Sequence, residues 1–285
     1  MRIGAHVSSA GGISKAIGRG VEIGCETIQI FGSSPQSWTF TPINEIEIEA
    51  FRSLADENQI RPIFLHCIYL INLGSSNPDN LVKGIDSLIN YMTLANQIDA
   101  EGIIFHPGSH KGSGFEAIFS QVTDSIKQVL DKSPEGPSLC LENMAGMGQH
   151  IGASFAELGE IVKSIDHPKL RICLDTQHSF AAGYDIRTPQ GVANMMEEFE
   201  SEIGIGKLAA VHANDSKQPL GSGIDRHENI GQGLIGESGF AALMSHSTLD
   251  NTPFLLEVPG FAGKGPDRSN IDILKTIRSR IDSLS

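Results

Sequence analysis

The sequence predicts an α/β protein, a single (β/α)8 TIM barrel occupying residues 1–285, with an active site at the C-terminal rim of its strands. Three observations predict it. Short β-branched or apolar runs alternate with amphipathic helical stretches, the order that βα units around a parallel sheet require. Eight such runs follow one another with no Ser/Pro-rich linker and no internal repeat between them. The length of 285 residues also suits one barrel, since such barrels commonly run to about 250 residues as one unit.

The strands are expected at residues 2–7, 26–32, 61–66, 102–107, 138–143, 170–176, 208–214 and 253–258. Between them lie helices such as 44–57, with Ile46, Ala50, Phe51 and Leu54 on one face, and 78–98, with Leu81, Ile85, Leu88 and Met92 on one face. Each is long enough to cross back over a sheet. Eight consecutive units favour closure over an open, doubly wound sheet.

The composition, 40% apolar and 19% charged, belongs to a chain that buries a sizeable core and excludes a disordered segment. No stretch reaches the roughly 18–20 apolar residues of a membrane helix, and MRIGAHVSSAGG lacks the basic-then-apolar layout of a signal peptide, so a cytoplasmic protein without membrane association is expected. Cys25, Cys67, Cys140 and Cys173 are scattered without a CxxC pair, which indicates buried thiols rather than a disulfide framework or a thiolate zinc site. The formal charge of −13 argues against a generic nucleic-acid binder, because such affinity normally begins with Lys and Arg on phosphates.

Barrels of this kind build their sites from strand ends and the loops that follow. His66 closes the third predicted strand, His106 ends the fourth in FHPGSH, and Glu142 ends the fifth in LENMAG. Asp175 and His178 end the sixth in CLDTQHSF, His212 the seventh in HANDSK, and Glu257 the eighth in LLEVPG. The loop after the seventh strand adds Asp225 and His227 in GSGIDRHEN. Taken singly, a His at a strand end is more often a hydrogen-bonded rim residue, a Glu such as Glu142 part of an ion pair, and an Asp such as Asp175 a helix cap. Nine such coincidences on one rim are far rarer than one shared cause, a group of cations held by imidazole and carboxylate. Nitrogen and oxygen donors without thiolate suit Zn(II), with Mn(II) or Fe(II) as alternatives, because an all-oxygen magnesium site has no use for five imidazoles. At three or four ligands per ion, nine ligands imply two or three ions. Three divalent ions would move the formal charge from −13 to −7 and leave the four ligand carboxylates over-compensated, which makes an electropositive rim on an acidic body.

Together these runs closely resemble endonuclease IV, the zinc-dependent class of abasic-site endonucleases, from HVSSAGG to LLEVPG. The segments YLINLG, FHPGSH, LEN, LDT with His178 three residues after Asp175, FAAGYD, NDSK and DRHENIG stand in the family's order with compatible spacing. The resemblance implies about three Zn(2+) ions per chain: His66, His106 and Glu142 on one, Glu142, Asp175, His212 and Glu257 on a second, and His178, Asp225 and His227 on a third. It implies a monomeric DNA repair enzyme whose partner is double-stranded DNA with abasic sites or blocked 3' ends. The reaction would be hydrolysis of the phosphodiester 5' to the abasic site, giving a 3'-hydroxyl and a 5'-deoxyribose phosphate. Metal-assisted in-line displacement at phosphorus needs neither an arginine finger nor a general-base His. The resemblance implies that Glu142 would bridge two ions and set their separation, so the largest catalytic share is expected of it.

The resemblance also implies that Tyr69 and Leu70 push into the duplex as the abasic nucleotide is flipped out, where the bland alternative is a cap over the barrel. Ser8 and Gly11 lie in SSAGG, before a helix N-terminus whose free N–H groups could hold a phosphate, and Lys217 and Arg226 flank ligands as further phosphate contacts. The chain departs from the family in FGSSPQSW, where Gln36 stands at a position often taken by Arg, and in HCIYLINL, where Cys67 and Ile68 replace polar residues. His6, His110, His150, His167 and His246 are expected to be structural or solvent-facing. A barrel sugar isomerase or epimerase shares the fold but needs fewer ligands and a separate acid/base pair. A non-catalytic damaged-DNA module would be favoured by a missing ligand, and none is missing.

Overall fold

The computed structural model describes residues 1–147 and 149–283. In chain order the strands are β1 (Ile3–His6), β2 (Thr27–Phe31), β3 (Ile63–His66), β4 (Gly102–Phe105), β5 (Ser138–Glu142), β6 (Leu170–Asp175) and β7 (Leu208–His212). A hairpin of β8 (Asp215–Ser216) and β9 (His227–Glu228) precedes the last barrel strand, β10 (Phe254–Leu256). Strands β1 to β7 pair in parallel in sequence order, and β10 closes the barrel by pairing with β7 and β1. The (β/α)8 expectation is borne out, with strand ends trimmed by up to two residues. The helices are α1 (Ser14–Ile23), α2 (Glu45–Glu57), α3 (Pro78–Gln97), α4 (Phe115–Lys132), α5 (Phe155–Ile165), α6 (Thr176–Ala182), α7 (Pro189–Glu202), α8 (Gly236–Met244) and α9 (Arg268–Asp282). No described helix is long and apolar enough to cross a membrane.

The caps show why the helices start where they do. Asn44 accepts from Glu47 N ahead of α2, and Asn77 accepts from Asp79 N and Asn80 N ahead of α3, whose first residue is Pro78. The buried face of α2 differs from the expected one. Ile48, Phe51 and Ala55 are buried, whereas Ile46 is 81% exposed and Leu54 lies at the surface. EIEIEAF carries isoleucines two apart, and a 3.6-residue period buries just one of them with Phe51. In α3 the expected Ile85, Leu88 and Met92 are buried, joined by Tyr91 and Ala95, with Leu81 partly buried.

Period-2 alternation divides β3, β4, β5, β6 and β10 between two environments. Ile63 and Leu65, Ile103 and Phe105, Leu139 and Leu141, Ile172 and Leu174, and Phe254 and Leu256 belong to the layer shared with the helices. The alternate residues Phe64, Ile104, Cys140, Cys173, Ala210 and Leu255 pack together as a separate apolar plug. Close strand approach selects glycine at Gly4, where a Cβ would meet Thr27 O at 1.6 Å. The register of β6 against β7 shifts between Ile172 and Cys173, so that β7 carries one extra residue before Asp175 comes level with His212.

At the opposite end, Glu26 fastens the two chain ends together. Its Oε2 accepts from Ile3 N at 2.9 Å and Arg278 Nη1 at 2.7 Å, and its Oε1 accepts from Arg278 Nη2 at 2.8 Å, with Lys275 Nζ at 3.5 Å. Burial alone would raise this carboxyl, but Arg278, the Ile3 N–H and Lys275 outweigh it and bring it down to about 2. A depressed carboxyl stabilises the fold fully above its unfolded pKa and loses that contribution as pH falls toward the folded one. Part of the Glu26 side chain is in solvent, which screens the pairing, so Glu26→Gln is expected to lower unfolding free energy by about 2 kcal/mol at pH 7, less than the full shift would give. The difference from wild type should close as pH falls from about 4.5 to about 2. Paired urea titrations across that window check it, and a pH-independent difference would refute the assignment.

Candidate metal centre

The plug residues and the polar rim belong to the same faces of the strands. His66 follows Phe64 by two residues, His106 follows Ile104, Glu142 follows Cys140, Asp175 follows Cys173, His212 follows Ala210 and Glu257 follows Leu255. Six chemically reactive side chains therefore converge on the barrel axis, above a dry floor.

The structure groups them into three sets whose ligand-type atoms lie within 4.8 Å of one another. These are His66, His106 and Glu142; Glu142, Asp175, His212 and Glu257; and Asp175, His178 and His227. Two sets coincide with those expected. The third differs, because Asp175 stands in it where Asp225 was expected, and so Asp175 belongs to two sets as Glu142 does. Asp225 touches the same imidazoles, at 3.3 Å from His178 Nε2 and 3.2 Å from His227 Nε2.

Local structure explains each placement. Asp175 caps α6, its Oδ1 accepting from His178 N at 2.8 Å, so the helix-cap reading and the cluster reading are both true of it. The cap puts His178 at the third helical residue and returns its ring to the cluster. His227 is carried by the pairing of β9 with β8, opposite Ser216. That hairpin is organised by the buried Asp215, whose carboxylate accepts from Ser216 N, Gly231 N, Gly233 N, Ile235 N and Gly236 N. Burial outweighs these bonds and raises the Asp215 carboxyl.

Hydrogen bonds fix which nitrogen of each ring faces inward. His66 Nδ1 donates to Cys67 O at 2.7 Å and His178 Nδ1 to Asn143 O at 2.8 Å, which turns each Nε2 toward the cluster. His106 Nε2 lies 3.1 Å from Glu142 Oε2. His212 is turned the other way, with Nδ1 3.1 Å from Glu142 Oε1. Glu142, Asp175 and His212 are fully buried. Burial pushes the Glu142 carboxyl up, but His212 and His106 outweigh it and hold it well below the carboxylate range. Burial likewise opposes charge on His178 and His212, yet the surrounding acids raise both. The cluster draws positive charge to its centre. His178 Nε2 and His227 Nε2 are buried and, although Asp225 lies 3.3 and 3.2 Å away, neither is aligned with it or with any other group as a hydrogen bond requires, an arrangement that suits a cation shared between them. The donor set and these orphaned nitrogens fit divalent metal ions.

Neutral amides brace the ligands, and the sequence reading missed them. Asn214 Nδ2 donates to Asp175 Oδ2 at 2.7 Å, and its Oδ1 accepts from Glu257 N at 2.8 Å. Asn143 Oδ1 accepts from Asp175 N at 2.7 Å. Asn143 follows Glu142 directly in LEN, and Asn214 stands two residues after His212 in HANDSK. Gln29 of β2 reaches Glu257 and His212, and His6 lies with its Nδ1 3.6 Å from Glu257 Oε1, so His6 is a rim residue of this site. The signal for Gln29 was a lone amide in the apolar strand TIQIF. His110, His167 and His246 bond within their own loops, as expected of structural residues. His150 instead shares a cleft of about 340 Å³ over the cluster with Tyr69, Leu70, Asn72, His106, Met144 and Asp225.

The expected DNA contacts occupy the same rim. Tyr69 is 55% exposed, its ring 5.5 Å from that of His66 and 5.8 Å from that of His106, with Leu70 also at the surface. Cys67 and Ile68 are buried beneath them, which explains their apolar character. Gln36 is exposed in the neighbouring loop, which Tyr69 N joins through Pro35 O at 3.1 Å. Ser8 and Gly11 are exposed, but the helix N-terminus beyond them is not free. Ser14 N donates to Glu47 Oε1 at 2.8 Å, so an acid from α2 already holds the place expected for a phosphate. Lys217 and Arg226 are exposed side by side, Lys217 N donating to Arg226 O at 3.0 Å, with Lys217 Nζ 3.7 Å from Glu228.

Residues 18–278 match the family described as "Xylose isomerase-like TIM barrel". The chain is 37% identical to "Probable endonuclease 4" of Halothermothrix orenii over 276 residues, covering 96% of this chain and 99% of the relative. The crystal structure of endonuclease IV from Thermus thermophilus superposes with a TM-score of 0.87 at 31% identity, covering 98% of this chain and 100% of that one. The chain belongs to the endonuclease IV family. It is an AP endonuclease, a hydrolase of DNA repair, and its clustered His, Asp and Glu side chains could hold metal ions. A D-tagatose 3-epimerase-like protein superposes with a TM-score of 0.74 at 22% identity, covering 100% of this chain and 99% of that one, a likeness of fold alone.

Asp215 supports a prediction about the loop that carries Asp225 and His227. Asp215→Asn keeps the shape but sets an amide group against backbone donors, and about 2–3 kcal/mol of stability should be lost. Urea unfolding and limited proteolysis would show it, with new cleavage expected between 217 and 235. Unchanged stability together with an uncut loop would refute the organising role.

Proposed function

We propose that His66, His106, Glu142, Asp175, His178, His212, Asp225, His227 and Glu257 hold about three Zn(2+) ions, and that the chain cuts double-stranded DNA on the 5' side of abasic sites. The products are a 3'-hydroxyl and a 5'-deoxyribose phosphate, and the same site removes groups that block 3' ends. The observation that carries the reading is the sharing of Glu142 and Asp175 between adjacent ligand sets, so that three sets form one continuous cluster. Imidazole and carboxylate donors without a thiolate favour zinc.

Bound divalent ions supply Lewis-acid polarisation of phosphoryl oxygens and a water of lowered pKa at neutral pH. The residues supply the rest. Glu142 reaches His66 and His106 with Oε2 and His178 and His212 with Oε1, so this one carboxylate lies within 3.4 Å of imidazoles from all three sets. It is therefore the residue assigned the catalytic role. Tyr69 and Leu70 stand above the cleft as the wedge that separates a flipped nucleotide from its stack. Lys217 and Arg226 contact the phosphate backbone from the β8–β9 hairpin and Gln36 from the loop after β2, while Ser8 and Gly11 meet it only through their own exposed loop atoms, since Glu47 holds the helix end beyond them.

Nicking of a duplex carrying one tetrahydrofuran abasic analogue tests the reading. A single 5' incision by protein containing about three zinc ions, lost after prolonged chelation, is expected, and no incision by metal-replete protein would refute it. Glu142→Gln should lower turnover by about 10³-fold, the scale for losing a transition-state electrostatic element. Wild-type nicking with full metal content would remove Glu142 from its role. Tyr69→Ala combined with Leu70→Ala should weaken binding of the abasic duplex by about 10-fold or more, as loss of stacking contacts does. Gel-shift titration measures it, and unaltered affinity would return both residues to a capping role.

A further inference from the structure

Gln29 is fully buried on β2, two residues beyond the equally buried Thr27, and so faces the barrel axis. Its Nε2 donates to Glu257 Oε1 at 2.6 Å and lies 3.0 Å from His6 Nδ1. Its Oε1 lies 2.9 Å from His212 Nε2. Amide oxygen and nitrogen could in general be exchanged, but here the acid decides. An ionised carboxylate only accepts, so the –NH2 must face Glu257 and the oxygen must face His212. His212 Nε2 then carries a proton. With a cation in the set the ring would be neutral and its lone pair would be left on Nδ1, which faces Glu142 Oε1 at 3.1 Å, Glu257 Oε2 at 3.4 Å and Asp175 Oδ2 at 3.8 Å.

We propose that Gln29 is the positioning residue of the central ligand set, fixing the ring nitrogen that His212 presents and the carboxylate oxygen that Glu257 presents to a divalent cation. The proposal rests on the reading that Glu142, Asp175, His212 and Glu257 hold such an ion. One side chain does both tasks because its two ends have opposite hydrogen-bonding character. A Glu at this position would accept from His212 but oppose Glu257 with a second carboxylate. A Met would fill the volume and do neither. An Asn is one methylene too short to span between the two strands.

Equilibrium zinc binding, measured against a competing chromophoric chelator, tests this on wild-type protein, Gln29→Met and Gln29→Glu. A proton–nitrogen correlation spectrum of the zinc-loaded imidazoles reports which nitrogen of His212 is coordinated. Wild-type protein is expected to show His212 coordinated through Nδ1. Both variants should bind one ion per chain about 10–100-fold more weakly, the usual cost of removing a ligand's outer partner, with the remaining ions held as before. In Gln29→Met the His212 signal should leave the Nδ1-coordinated pattern, a change that mere loosening of the core would not produce. Wild-type zinc affinity with unchanged His212 coordination in Gln29→Met would overturn the proposal alone. If Gln29→Met fails to fold, undiminished affinity in Gln29→Glu would overturn it equally. Failure of wild-type protein to take up zinc would instead sink the metal-centre reading, and this proposal with it.

Discussion

A parallel strand in a closed barrel has only its alternate side chains to give to the axis, and this constraint governs everything at the rim. Below the mouth those positions must be apolar and of fitted volume, hence Phe64, Ile104, Cys140, Cys173, Ala210 and Leu255. One step further, the same spacing aims His66, His106, Glu142, Asp175, His212 and Glu257 at a common centre. The plug is thus more than a core. It closes the barrel beneath the site and excludes water from that side, so that charges above it interact in a poorly screening medium.

That medium makes the choice of supporting residues intelligible. Four carboxylates packed near one another repel, and a buried carboxylate without a counter-charge is costly. Lys or Arg could relieve the repulsion, but each would occupy the place a metal ion needs. Among the described residues no Lys or Arg side chain pairs with Glu142, Asp175, Asp225 or Glu257, whereas the distant Glu26 is clamped by Arg278 and Lys275. The acids at the mouth are braced by Gln29 and Asn214, which supply hydrogen bonds without net charge. The protein satisfies these oxygens only in part and leaves their negative charge for cations to balance.

The barrel and the converging side chains could be read from the sequence because both rest on short-range periodicity. Two-residue alternation survives errors of a residue or two at strand ends, so His66, Glu142 and Asp175 kept their positions although the strands proved shorter than expected. What could not be read depends on contacts between segments far apart in the chain. Glu47, 33 residues from Ser14, closes the helix end that the run SSAGG leaves open for a phosphate when read by itself. Gln29 meets Glu257 across 228 residues, and nothing in TIQIF says which acid it will find. Asp175 in two ligand sets also escaped notice, because membership depends on how far β9 folds back over β6. The face of α2 was misread for a simpler reason: Ile46 and Ile48 compete for one helical stripe, and Phe51 decides between them.

The formal charge of −13 remains to be reconciled with a DNA substrate. Affinity for intact duplex grows with exposed basic residues, and the rim near the cleft offers mainly Lys217 and Arg226, one of them already beside Glu228. On the proposed reading the attraction for phosphate lies instead in cations seated among residues that are buried or nearly so, below the loop surface. A backbone held straight by base stacking lies across the mouth and cannot descend to them. An abasic nucleotide has no base to unstack, so extruding it costs least there, and Tyr69 and Leu70 can fill the gap it leaves. An acidic surface then serves discrimination. On that reading it would weaken the hold on undamaged DNA, while the deep positive charge would act on the one phosphodiester that can reach it.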